Sequence, residues 1–170
     1  MENTITYKGI IHFDPEDKTN KHKNQSSWKK VAMIMMDGEI CEYYRWFIEK
    51  RYGLKLLKPL RGPHISFIND SVKDIIKNSG LNIKDVNILW NKLKEKYEGK
   101  EIEIVLDLDI RGNSKHYWLN IPNEERNLIN SIRKEIYLGR SFYSPHLSIG
   151  YVNEKEISNS EYILKYMIDY

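Results

Sequence analysis

Pro63-His64-Ile65-Ser66-Phe67 and Pro145-His146-Leu147-Ser148-Ile149 are two versions of one pattern. The chain has only five histidines and five prolines, so the recurrence is an internal repeat rather than a compositional accident. Each copy opens a strand, at 64–68 and at 146–150, because β-branched, leucine and aromatic residues follow the proline. Side chains alternate across a strand, so His64 and Ser66 share one face while Ile65 and Phe67 share the other, and likewise for His146 and Ser148. The fold therefore has to bury two apolar strand faces while leaving two His–Ser faces available.

Outward from the first motif, residues 5–13 form a strand pattern and the polar run 14–27 a loop. Trp28 to Met36 follows as a strand, and Glu39 to Tyr52 as a helix closed by Gly53. A basic loop with Lys55, Lys58 and Arg61 leads into the first His strand. The second half repeats this order. Lys115 to Ile121 is a strand, and Asn123 is positioned as an N-cap, with Glu124 and Glu125 suited to the first turn. Leu128, Ile129, Ile132 and Ile136 fall at helical spacing, Gly139 closes that helix, and a loop carrying Arg140 enters the second His strand. Between the halves, Asp85 to Tyr97 predicts a helix with Ile88, Leu89 and Leu93 inward. Glu101 to Ile110 alternates as a strand, and Ser158 to Tyr170 closes the chain as a short helix. The expected architecture is α+β, one domain over 1–170. Its two pseudo-symmetric antiparallel-sheet lobes carry outer helices and meet in a central cleft at the His strands.

Composition narrows the function classes. The net charge of +3 over 170 residues suits a small anionic ligand but lacks the basic stripe of a duplex-binding protein. A mean hydropathy of −0.62 implies a heavily solvated exterior, and the longest aliphatic stretch, Val31 to Met36, is too short to span a bilayer. The single Cys41 excludes an internal disulfide, and the first residues lack signal-peptide features. These features point to a cytoplasmic protein, with no membrane partner, as a monomer or weak homodimer.

Cleaving a phosphodiester beside a ribose 2′-hydroxyl needs a base, an acid and donors to the phosphate oxygens. Histidine, with an unperturbed pKa of about 6.5, serves as either acid or base near neutrality. Two of them on opposite sides of one phosphate supply both roles without a metal. Ser66 and Ser148 then donate to non-bridging oxygens, two equivalent copies suiting a shared phosphate better than two separate nucleophiles. His12, His22 and His116 have no companions at metal-ligand spacing, so neither metal nor cofactor is expected. Trp46 and Trp90 sit in amphipathic helices and are expected in the core. Trp28, Trp118, Tyr143 and Tyr7 are candidates to stack a base, and Arg61, Lys115 and Arg140 to hold phosphates.

The two motifs, His64-Ile65-Ser66-Phe67 and His146-Leu147-Ser148-Ile149, resemble the His–apolar–Ser/Thr–apolar signature of the two-histidine (2H) phosphoesterase superfamily, found once per lobe. Gly38-Glu39-Ile40, Tyr43-Tyr44-Arg45-Trp46-Phe47, Gly53-Leu54-Lys55-Leu56 and Lys115-His116-Tyr117-Trp118-Leu119 are similar to segments of phage anti-CBASS proteins. The resemblance implies a bilobal, metal-independent enzyme acting on cyclic di- or trinucleotide messengers of bacterial defence, in the host cytoplasm. His64, Ser66, His146 and Ser148 would be catalytic. An RNA-processing 2′,3′-cyclic or 2′–5′ phosphodiesterase is the alternative within the same chemistry, and a non-catalytic nucleotide sponge the alternative outside it.

Overall fold

The computed structural model describes residues 3–15, 29–141 and 144–168. Two four-stranded antiparallel sheets account for the strands. The first orders β4 (His64–Ser71), β2 (Lys29–Met36), β1 (Thr4–Phe13) and β5 (Glu101–Asp107); the second orders β3 (Leu56–Leu57), β8 (His146–Val152), β7 (His116–Asn120) and β6 (Arg111–Gly112). The fold class is α+β, as the sequence predicts. One continuous apolar core joins both sheets and the helices, and β4 lies alongside β8.

Helix α1 (Glu39–Tyr52) has the expected bounds, and Gly53 ends it at φ 68°, a conformation that costs glycine little. Its inward face is Ile40, Cys41 and Ile48. Trp46 departs from expectation: it lies far round the helix from that face and is 57% exposed, tilted against Tyr43 at 6.3 Å. Helix α3 (Ile83–Tyr97) buries Val86, Trp90, Leu93 and Tyr97, while Ile88 faces out. Trp90 sets that phase: its ring meets Phe13 edge-on at 5.0 Å, and its Nε1 donates to Asp14.

Helix α4 (Asn127–Glu135) differs at both ends from the sequence expectation. Asn123 opens a 3-10 turn, Asn123–Arg126, instead of capping the α-helix. Gly139 does not close it; Tyr137, at φ 59°, takes the left-handed position, and the Ile136 and Leu138 amides donate to the Arg133 carbonyl. Ile129 and Ile132 are buried, but Leu128 is exposed. A helix that the sequence reading passed over, α2 (Val72–Ser79), follows β4, with the Ser71 hydroxyl accepting from the Lys73 amide as its N-cap. Helix α5 (Ile157–Ile168) closes the chain. Among the described residues, no helix is long and apolar enough to cross a membrane.

Helices α1 and α4 cross over. Helix α1, which follows β2, packs on β8; α4, which follows β7, packs on β4. Each His strand is thus covered by the helix from the other half of the sequence.

Candidate active site

The two motif strands are built alike down to their irregularities. On β4, His64 pairs with Met35 and Ser66 with Met33, after which Ile68 pairs with Ala32, leaving Phe67 as an extra residue. On β8, His146 pairs with Asn120 and Ser148 with Trp118, after which Gly150 pairs with Tyr117, leaving Ile149 as the extra residue. A β-bulge therefore follows the serine in both copies, where such a bulge bends the strand and re-aims its side chains. Ile65, Phe67, Leu147 and Ile149 are buried, while His64, Ser66, His146 and Ser148 are half-buried.

Both imidazoles are oriented the same way. His64 Nδ1 lies 2.8 Å from the Gly62 carbonyl oxygen and His146 Nδ1 2.8 Å from the Ser144 carbonyl oxygen. A carbonyl only accepts, so Nδ1 must carry the proton in each ring. Nε2 is left as a lone pair when the ring is neutral and as an N–H donor when it is charged. Burial holds His64 below the usual imidazole pKa; the Gly62 carbonyl works against this, and the charges of Arg61 and His146 add to it. The two rings are thus near enough for the charge of one to oppose protonation of the other. Folding brings together the histidines that the repeat singled out.

Trp118 is also brought in, its ring 5.7 Å from that of His146 at 52° and its Nε1 donating to Asn120 Oδ1. Trp118 and Asn120 also line an open groove of about 1510 Å³ with Tyr44, Phe47, Arg51 and Arg111. Arg61 lies where its charge reaches His64. Two other candidates are placed elsewhere. Tyr7 pairs with Ile104, on the opposite face of its sheet from His64 and Ser66. Lys115 precedes the far end of β7, where antiparallel pairing sets His116 against Tyr151; that end is roughly 14 Å along the strand from Asn120. Arg140 is exposed in the loop after α4. Trp28 and Tyr143 lie outside the described residues.

Arg45 and Arg133 are the residues that sequence reasoning missed. Arg45 Nη1 donates to the Ile149 carbonyl at 2.7 Å, and Arg133 Nη1 to the Phe67 carbonyl at 2.8 Å. Those are the two bulge carbonyls. One available signal was position, since each arginine sits six residues beyond the start of its helix. Cys41, one turn before Arg45, places its Sγ 3.7 Å from the Ser148 carbonyl. Burial pushes its thiol pKa up to about 11, which makes it an unreactive packing group. His12 pairs with Glu98 at 2.8 Å, and among the described residues no three His, Cys, Asp or Glu side chains are grouped to hold a metal ion.

A scan against protein-family models, a search of curated proteins and a search of solved structures each return no match.

Proposed function

We propose that this chain is a metal-independent phosphodiesterase of the two-histidine type, its two halves forming a bilobal fold around a shared cleft. The observation that carries the reading is the matched pair of imidazoles, each pinned through Nδ1 to the carbonyl two residues before it and each presenting Nε2. Neutral His64, whose pKa is held low, accepts the proton of the 2′-hydroxyl. The 2′-oxygen forms a bond to phosphorus as the bond from phosphorus to the 5′-oxygen breaks. Protonated His146 gives its Nε2 proton to that leaving oxygen, and Ser66 and Ser148 donate to the non-bridging oxygens. A 2′,3′-cyclic phosphate end results, which water opens in a second step with the histidine roles reversed.

The substrate class proposed is a cyclic di- or trinucleotide, in keeping with the resemblance to phage anti-CBASS proteins. The groove that Trp118 and Asn120 help to line, without the four motif residues, supports it, because its aromatic rings together with Arg51 and Arg111 suit bases and phosphates beyond the one being cleaved. A panel of 3′,3′- and 2′,3′-cyclic dinucleotides, cyclic trinucleotides, 2′–5′ oligoadenylate and RNA ending in a 2′,3′-cyclic phosphate, incubated with EDTA and resolved by chromatography, tests this. Opening of the cyclic oligonucleotides in EDTA is the expected outcome. Turnover confined to linear RNA ends would shift the assignment to RNA processing, and tight binding without any turnover would make the protein a sponge.

A further inference from the structure

We propose that Arg45 and Arg133 are positioning residues, each reaching from the helix of one half to fix the histidine strand of the other. The inference deepens the two-histidine reading and rests on it. A bulge removes one residue from the strand ladder, so its carbonyl must find another partner if it is buried. Phe67 and Ile149 are that residue in β4 and β8, and both are buried. A guanidinium meets each carbonyl, and the exchange is reciprocal: α1 supplies β8 and α4 supplies β4. The Arg45 and Arg133 bonds lie one residue past Ser148 and Ser66 and three past His146 and His64. They therefore set where each bent strand aims its polar face.

The two braces are not equally strong. Arg133 is 2% exposed and also donates to the Gly139 carbonyl and, in two bonds, to Asp70. Among the described residues Arg45 makes a single hydrogen bond, to Ile149, with Cys41 beside it on Ser148. Arg133 is buried and Arg45 half-buried, each with a hydrogen bond to a strand carbonyl. A planar fork with several partners cannot be replaced by an ammonium, whereas a single bond to one carbonyl can.

The test compares Arg45→Met, Arg45→Lys and Arg133→Met by steady-state kinetics on a 3′,3′-cyclic dinucleotide and by NMR titration of the two imidazoles. The comparison is made at temperatures where circular dichroism shows each variant folded. Arg45→Met is expected to lower kcat by about a hundredfold, the effect of an ångström-scale misplacement, with KM little changed. Its His64 titration should shift upward only slightly if His146 moves away, since burial and not the His146 charge chiefly holds it low, and Arg45→Lys should restore most of the rate. If Arg133→Met does not fold, the Arg45 pair decides alone. A folded Arg45→Met with wild-type kcat and unmoved titrations overturns the proposal. Wild-type protein that cleaves none of the panel overturns the enzymatic reading instead, and the imidazole titrations then judge the brace by themselves.

Discussion

His64 and His146 stand in matched motifs, and the proposed mechanism makes His64 the base and His146 the acid. Both rings have Nδ1 fixed by a carbonyl, but the His64 pKa is held low, chiefly by burial. Burial of the His64 ring favours its neutral form, which suits a base, and the proposed mechanism gives the remaining part, the acid, to His146. Replacing either with alanine removes one half of a proton transfer while sparing the groove. His64→Ala and His146→Ala are each expected to cut kcat by about two to four powers of ten. Binding of a cyclic dinucleotide, followed by calorimetry, should stay within about tenfold, since neither ring is the main source of contact area. A variant that kept more than a tenth of wild-type turnover would remove that histidine from the chemistry. That both motifs open strands was legible because rare residue types recurred at strand spacing. Tyr7 was misplaced because its distance from the motif in sequence says nothing about which face of β1 it occupies, and the register turns it away.

At the scale of elements, the sequence spoke clearly where a pattern was long and its ends were marked. Helix α1 carries an inward stripe and a terminal glycine, and its bounds came out as expected. Helix α2 was legible and overlooked: Val72, Ile75 and Ile76 fall at helical spacing between Ser71 and Gly80, but the helix follows β4 directly, with no loop to part them. The end of α4 misled because Gly139 was present but unused, Tyr137 bending the chain first. Bulges were beyond reach, as a single extra residue leaves no trace in an alternating pattern. The bulged end of β8 also depends on Gly150, where a Cβ would meet the Leu57 carbonyl oxygen at 2.8 Å and Leu56 Cβ at 2.9 Å. Neither neighbour is the tip of a flexible side chain. Gly150→Ala is therefore expected to push β3 off β8 and cost about 1–3 kcal/mol of stability. Urea denaturation checks it, and an unchanged midpoint would mean that β3 yields freely.

Across the whole molecule, the repeat does more than supply two histidines. Because α1 covers β8 and α4 covers β4, neither half can close its core alone, and the two polar strand faces are carried by one apolar body. The two-copy order of strand, helix and His strand was readable from the sequence. The crossing of the helices was not, since it arises from contacts between residues far apart in the chain. The pH dependence of kcat/KM tests the shared-phosphate arrangement most directly. One ring must be neutral and the other protonated, so the profile should be bell-shaped. Lowering the His64 pKa keeps the base neutral to lower pH, so the acidic limb should fall below the ordinary imidazole pKa of about 6.5. That bell, unaltered by EDTA and reduced to a single limb in His64→Ala, is the result expected. A rate that climbs steadily with pH and depends on added Mg²⁺ would contradict the account.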